Sequence, residues 1–332
     1  MATLIKTRID EKHIAIILDS LRIDTVLDFD LHLMVNNGLV LYRSADLPFT
    51  EENRRKLLEN KVERLYVAGE NRAKYQKYIE NNLGEILDDP AVADEQKANI
   101  LYETSANLVK DVLSNPTFGE NVQRSKYLVS NSVEYILKGR ESFLSMLRTA
   151  SFDYYLYTHS VNVCTFSIAL AQQMGQTDKK FLNELGIGSL LHDVGKSKIT
   201  ERILYKPTAL NKIEFEIMKK HPQWGVDILS QSNSIPQAAY FPVLQHHERG
   251  DRSCYPDGLS LEEMHIYSKI VAITDCFDAM TTERAYQKAI DTFSALKLMI
   301  SMEKAFDEVC LRYFVELMGP QGTDEIRKAQ YQ

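Results

Sequence analysis

The chain has 332 residues, of which 44% are hydrophobic and 26% are charged, a composition typical of a globular protein with a sizeable core. Its formal net charge of −7 argues against binding to a nucleic-acid polymer, because proteins of that class present a basic surface. The four cysteines form no C-x-x-C pair, the N-terminus lacks a signal-peptide core, and no apolar run reaches the length of a membrane span. We therefore expect a cytoplasmic protein.

Residues 1–90 predict a small α+β domain, to which we assign a regulatory or sensor-like role. The predicted elements are strands at 26–35 and 39–45 joined by a turn at 36–38, a helix from Thr50 to Asn60, and a third strand at 62–67. No phosphate-accepting aspartate site and no glycine-rich phosphate loop is recognisable in this part of the chain.

The remaining residues predict helices. Residues 91–148 have the periodicity of connecting helices, broken near Asn115 and Pro116, and homodimerisation through them is an open expectation. Residues 149–332 predict an all-α helical bundle. Capping-box spacing marks helix starts at Asn211, with Glu214, and at Ser260, with Glu263.

Seven imidazole and carboxylate side chains lie on apolar stripes or at the ends of separate helical patterns. They are His159, His192, Asp193, His221, His246, His247 and Asp275. A single core histidine is more often a hydrogen-bonded structural residue than a ligand, and His13, His32 and His265 keep that interpretation. Seven separate buried polar groups are costly, whereas one cluster of divalent metal ions satisfies them all.

The adjacent pair His192–Asp193 fits such a cluster. Side chains on consecutive helical residues diverge by about 100°, so His192 can bind one metal while Asp193 bridges two. Two neighbouring metals activate water for phosphoester cleavage. Gly195 would let the backbone turn, and Lys196 would place a positive charge beside the phosphate. The alternative interpretation of Lys196 is a solvated lysine.

Four motifs together resemble the HD-GYP family, a branch of the HD-domain phosphohydrolases. They are LLHDVGK (190–196), KHPQWGVDIL (220–229), HHERGDRSCYPDGL (246–259) and ITDCFDAMTTERAYQKA (273–289). The resemblance implies an HD-domain helical bundle with a metal centre of iron or manganese. In this family the domain hydrolyses cyclic di-GMP to pGpG, or onward to GMP.

By position, the resemblance implies a ligand set for each of two divalent metal ions. The first metal would be held by His159, His192, Asp193 and Asp275, and the second by Asp193, His221, His246 and His247. Asp193 and Lys196 are then the expected catalytic residues, with Lys196 steadying the water or the phosphate. Some members bind a third metal through a glutamate at the position of Tyr155, so two metals are expected here.

The sequence departs from the family at the signature loop. Gly250 stands in place of a Trp, while Arg252 and Cys254 stand in place of glycines. The loss of two glycines matters if the loop requires a positive φ. We expect the Arg252 side chain to be solvated.

The expected metal ligands are intact and the expected substrate contacts are worn, a combination that suggests low activity or altered specificity. Tyr255 and Pro256 remain. In the family this loop lies beside the substrate pocket and is implicated in partner docking, so the resemblance implies a substrate contact at Tyr255 and a possible protein partner at residues 246–258. Arg284 matches a family arginine that reaches guanine or phosphate, although Gln287 replaces the accompanying lysine.

Three functions remain open at this point. The intact metal ligands favour a cyclic di-GMP phosphodiesterase of low activity. The altered loop favours a receptor or interaction scaffold that binds cyclic di-GMP without turnover. The third possibility is a phosphohydrolase of another nucleotide.

Overall fold

A computed structural model describes residues 13–36, 38–116, 119–150, 155–232, 234–283 and 288–319. The chain divides into two units, residues 1–104 and 105–332. Among the helices of the described residues, none is both long and apolar enough to cross a membrane.

The first unit contains a four-stranded antiparallel sheet with the strand order β1-β6-β3-β4. Its strands are β1 (His13–Ile17), β2 (Thr25–Val26), β3 (Leu31–Val35), β4 (Gly38–Arg43), β5 (Pro48–Phe49) and β6 (Arg64–Ala68), where β2 and β5 form a separate pair. Its helices are α1 (Glu51–Glu59) and α2 (Arg72–Asp88), and α3 (Asp94–Ser114) runs across the division into the second unit. The core is made of buried aliphatic side chains with Phe29 and Phe49.

The sequence predictions for this unit are partly right. Thr50 caps α1, because its side chain accepts the N–H of Asn53, and the hairpin between β3 and β4 is confirmed. The single strand predicted at 26–35 is wrong in extent, since β2 ends at Val26 and β3 begins at Leu31. Asp30 interrupts it by accepting the N–H of Ala45 at 2.8 Å, which closes a loop. Strand β1 was not predicted.

The second unit is helical, as predicted. Its helices are α4 (Gly119–Leu137), α5 (Arg140–Thr149), α6 (Leu156–Gln173), α7 (Lys179–Leu190), α8 (Glu201–Leu204), α9 (Lys212–Met218), α10 (His221–Leu229), α11 (Tyr240–Gln245), α12 (Ile266–Thr281), α13 (Thr292–Ser301) and α14 (Glu308–Met318). Helix α6 is buried along nearly its whole length and packs against α7, α12 and α14. Phe166, Phe277 and Phe314 meet edge to face between these helices, with ring centroids 5.0 to 6.3 Å apart.

One of the two predicted capping boxes is a helix start. Asn211 and Glu214 bond reciprocally at the start of α9. At Ser260 the prediction is wrong: Glu263 accepts the Ser260 N–H at 2.8 Å, but α12 begins at Ile266. The same local hydrogen bond stabilises a turn as well as a helix start. The cap of α12 is the His265 imidazole, which accepts the Tyr267 N–H at 3.2 Å.

A close backbone approach brings the segment after α7 onto α10. Residues Val194–Lys198 form a 3₁₀ turn, and Gly195 in this turn lies against the α10 backbone. A Cβ at Gly195 would lie 2.6 Å from the Gly225 nitrogen and would collide with the His221 carbonyl oxygen. The glycine is therefore required by its contact with α10, in addition to the turn that the sequence predicts.

We expect Gly195→Ala to destabilise the protein by about 1–3 kcal/mol, because the added methyl group forces the 3₁₀ turn and α10 apart. The midpoint of urea unfolding measures this loss. Gly119→Ala is the matched control, since a Cβ at Gly119 meets nothing within 4 Å. Equal midpoints for the two variants would contradict the assignment.

Candidate metal centre

The seven predicted ligands come together in the second unit from separate elements. His159 lies on α6, Asp275 on α12 and His221 at the start of α10, while His192–Asp193 follow α7 and His246–His247 follow α11. All are buried except His247, whose side chain is 23% exposed. The fold thus collects at one place the polar groups that the sequence distributes over 117 residues.

The ligand atoms form two groups. One group is His159, His192 and Asp275, and the other is Asp193, His221, His246 and His247; within each, the ligand atoms all lie within 4.8 Å of one another. Asp193 belongs to the second group and also contacts the first. Its Oδ1 lies 3.3 Å from His221 Nε2, and its Oδ2 lies 3.4 Å from His192 Nε2. A carboxylate in this position is suited to bridge two cations.

Backbone carbonyls fix the orientation of three of the imidazole rings. The Nδ1 atoms of His192, His221 and His246 lie 2.7, 2.7 and 2.9 Å from the carbonyl oxygens of Ser189, Met218 and Pro242. A carbonyl only accepts, so each Nδ1 carries the proton, and in the neutral ring each Nε2 presents a lone pair toward the centre. This is the arrangement of a metal-binding imidazole.

Two of these lone pairs face each other. His221 Nε2 and His246 Nε2 are 3.1 Å apart. Burial lowers the pKa of both rings, that of His246 well below its usual range, so neither nitrogen is protonated at neutral pH. Asp193 Oδ1, also buried, accepts no hydrogen bond from the described residues. A cation between these atoms would offset the repulsion between the two lone pairs and would give Asp193 Oδ1 a partner. The donor set therefore fits a divalent metal.

Asp278, which was not among the residues predicted from the sequence, supports one of the predicted ligands. Its Oδ2 accepts the His159 Nδ1–H at 2.7 Å, and its Oδ1 accepts the Asn162 amide at 2.8 Å. The carboxylate is fully buried, and it holds His159 with Nε2 toward the centre. A signal was present, because Asp278 lies on the same buried helix as Asp275 and close to it in sequence.

Neighbouring charges shift the pKa values of Asp193 and His159 in the centre. Burial alone would raise the pKa of Asp193, but Lys196 and His192 outweigh it and hold that pKa well below its usual range. Burial alone would lower the pKa of His159, but Asp275 and Asp278 outweigh it and raise that pKa to about 9. The metal-free centre therefore keeps a proton on His159.

Lys196 is buried and is not solvated. Its Nζ lies 2.6 Å from Asp193 Oδ2, and the residue is 8% exposed. The alternative interpretation of a surface lysine is therefore wrong. The 3₁₀ turn brings this ammonium back onto the carboxylate three residues earlier.

The signature loop brings Tyr255 to the centre. Its ring centroid lies 4.7 Å from that of His247. Arg252 has φ +63°, so the loop does require a positive φ where the family has glycine. Its side chain is 56% exposed, in agreement with the expected solvation. It also bonds to Glu263 at 2.7 Å and to the Gly258 carbonyl oxygen at 3.0 Å. Arg284 and Gln287 lie outside the described residues.

A family model described as an HD domain matches residues 131–309, more than half of the chain. The chain belongs to the HD-domain family. The resemblance drawn from the four motifs is confirmed, and the matched range includes the seven predicted ligands and Asp278.

Named relatives of this HD domain are phosphodiesterases. A cyclic di-GMP phosphodiesterase of Pseudomonas aeruginosa is 35% identical over 192 residues, which are 58% of this chain and 46% of the relative. A 3'3'-cGAMP-specific phosphodiesterase of Vibrio cholerae is 43% identical over 100 residues, which are 30% of this chain and 19% of the relative. The matched segments thus span less than half the length of either relative.

A solved structure shares the fold. It is an HDG"Y"P protein from Bdellovibrio bacteriovorus, 24% identical, with a TM-score of 0.64 over 92% of this chain and 99% of that one. At this identity the likeness supports the fold alone.

We expect Asp278→Asn to weaken metal binding about 10–100-fold while the fold is retained, since the carboxylate fixes the ring of His159. Metal content after dialysis against a graded series of chelator concentrations measures the affinity. Asp227→Asn is the control, because Asp227 is exposed and accepts a hydrogen bond from Gln223 in a similar way. Unchanged metal retention in Asp278→Asn would remove this residue from the metal centre.

Metal binding should also release about one proton per chain at pH 7, because His159, with a pKa of about 9, is protonated without metal and must lose that proton to become a ligand. The other predicted ligands with shifted histidine pKa values, His221, His246 and His247, are already neutral there. Apparent affinity should rise about tenfold per pH unit up to about pH 9. Titration calorimetry in buffers of different ionisation enthalpy counts the protons, and a count of zero would contradict the assignment.

Proposed function

We propose that this chain is a metal-dependent phosphodiesterase that hydrolyses cyclic di-GMP to pGpG or GMP. The observation that carries the proposal is the pair of ligand groups that face one shared carboxylate, Asp193. A binuclear site of this kind is suited to phosphodiester cleavage. The activity of the Pseudomonas aeruginosa relative, named as a cyclic di-GMP phosphodiesterase, supports the choice of substrate.

Two divalent ions, iron or manganese, would supply water activation and stabilisation of negative charge on the phosphate. His159, His192, Asp193 and Asp275 would hold one ion, and Asp193, His221, His246 and His247 the other. A third ion is not expected, because Tyr155 offers no carboxylate; the residue is 52% exposed and its ring stacks on that of Tyr157.

Lys196 has two tasks in this proposal. It fixes Asp193 through the 2.6 Å contact with Oδ2, and it keeps a positive charge within the centre. That charge attracts an anionic phosphodiester and stabilises the charge that builds up on it during cleavage. Tyr255, beside His247, is the proposed substrate contact, and Arg284 remains a predicted one.

One further substrate is favoured by a specific observation. The Vibrio cholerae relative with 43% identity is named for 3'3'-cGAMP, a mixed cyclic dinucleotide. A substrate panel of cyclic di-GMP, 3'3'-cGAMP and cyclic di-AMP separates the two proposals by relative kcat/KM. The receptor function, a homodimer and a protein partner at residues 246–258 remain predictions.

We expect Asp193→Asn to lower the hydrolysis of cyclic di-GMP at least about 100-fold, because this carboxylate serves both groups and even an outer partner of a ligand contributes 10–100-fold. The protein is purified anaerobically, loaded with iron or manganese, and assayed by chromatography of pGpG and GMP. Asp227→Asn is again the exposed control. Absence of turnover in the wild type with two metals bound would favour the receptor function.

A further inference from the structure

A buried carboxylate beside the metal centre belongs to neither ligand group. Glu248 follows the ligands His246 and His247 directly and is fully buried. Three backbone N–H groups donate to it: those of Asp257 and Gly258 to Oε1, at 2.7 and 3.1 Å, and that of Leu259 to Oε2, at 2.9 Å. A buried carboxylate that receives three N–H bonds strongly orders the backbone that supplies them.

The rest of the signature loop, residues 249–259, is tied down at its base. The Gly250 N–H donates to the Ala305 carbonyl oxygen at 3.0 Å, and Asp251 pairs with Ser260 in an antiparallel bridge. The Glu248 carboxylate accepts its hydrogen bonds from residues 257–259, in the part of the loop that leads back to this base.

The substitutions in the loop are accommodated by these contacts. A Cβ at Gly250 would lie 2.5 Å from the Lys304 carbonyl oxygen and would collide with Leu261, so a side chain at this position has no room. Arg252 has the left-handed φ of +63° that favours glycine, and its guanidinium bonds to Gly258 and Glu263 on the far side of the loop. The side chain of Arg252 thus offsets the strain of its backbone.

The ordered loop carries Tyr255 to a fixed place. The Tyr255 ring contacts the His247 ring on one side, and its centroid is 6.2 Å from that of Phe215, which is 44% exposed. His246, His247 and Glu248 are consecutive. One short segment therefore supplies two metal ligands and the carboxylate that positions the loop above them.

We propose that Glu248 is a positioning residue for the substrate: its carboxylate is the template on which residues 249–259 fold, and it holds Tyr255 against His247, where a cyclic dinucleotide is bound. This inference rests on the proposed function for its substrate. The loop thereby keeps a binding-competent conformation without the two glycines of the family, because the contacts of Glu248 and Arg252 stabilise the conformation that glycine would otherwise permit.

The test variant is Glu248→Gln. Its amide NH₂ group takes the place of a carboxylate oxygen that now accepts a backbone N–H, so that hydrogen bond is lost. We expect two metals to be retained, as measured by elemental analysis, since every ligand is intact. KM for cyclic di-GMP should rise about tenfold with kcat within about twofold, because hydrogen bonds to a charged group are lost from the loop. Hydrolysis of bis(p-nitrophenyl) phosphate, which carries no nucleobase, should not change. Glu303→Gln, at an exposed glutamate, is the control.

A second measurement needs no substrate. Trypsin cleavage of the Arg249–Gly250 bond reports opening of the loop, and Glu248→Gln should accelerate it about tenfold. Arg252→Ala should accelerate it more than Arg252→Gly, because alanine loses the side-chain bonds but keeps the strained backbone. These two variants test the loop even if Glu248→Gln does not fold.

The outcomes separate the two proposals. Absence of cyclic di-GMP hydrolysis in the wild type overturns the proposed function, while the trypsin comparison still tests the template. Unchanged KM and unchanged cleavage in Glu248→Gln, or equal cleavage in the two Arg252 variants, overturns the role of the loop contacts. Loss of metal from folded Glu248→Gln would overturn the inference in favour of a role in ligand placement.

Discussion

The contact between His221 Nε2 and His246 Nε2, at 3.1 Å, is the interaction on which the rest of the site depends. In both neutral rings the Nδ1–H donates to a backbone carbonyl oxygen, so moving the proton to Nε2 would break that hydrogen bond. Burial also opposes protonation of either ring. The two Nε2 lone pairs therefore repel each other, and a cation between them would be attracted to both. Metal binding would thus stabilise the helices that carry these histidines.

The arrangement of elements follows from this constraint. Asp193 can face both groups because the chain leaves α7 in a 3₁₀ turn that is packed directly on α10, and this packing is possible because Gly195 has no Cβ. The buried carboxylates Asp193, Asp275 and Asp278 outnumber the buried ammonium of Lys196. Two divalent ions would reverse this excess of negative charge, so that a chain of net charge −7 would attract an anionic phosphodiester at one place.

The candidate ligands could be predicted from the sequence more readily than the residues that hydrogen-bond to them. The seven predicted ligands lie together in the structure. Each could be proposed because it is a polar side chain on an apolar stripe or at the end of a helical pattern, which a single sequence displays. Asp278 follows the same pattern but was missed, since its partner is the second nitrogen of His159, 119 residues away in sequence. The limits of the strand predicted at 26–35 and the start of α12 were misjudged because local hydrogen bonds of Asp30 and Glu263 close turns where periodicity alone predicts regular structure.

The loop illustrates why substitutions cannot be interpreted one at a time. From the sequence, Gly250, Arg252 and Cys254 indicated a worn substrate site. In three dimensions, Gly250 lies against the Lys304 backbone, Arg252 binds across the loop, and Glu248 receives the backbone N–H groups of the residues that return from it. The contacts of Glu248 and Arg252 lie within one short segment but depend on the path of the loop, and the contact of Gly250 is with a residue far away in sequence, so neither kind follows from a pattern of adjacent residues. Because Glu248 directly follows the predicted ligands His246 and His247, its proposed role places the anchor of the loop in the same segment as those ligands.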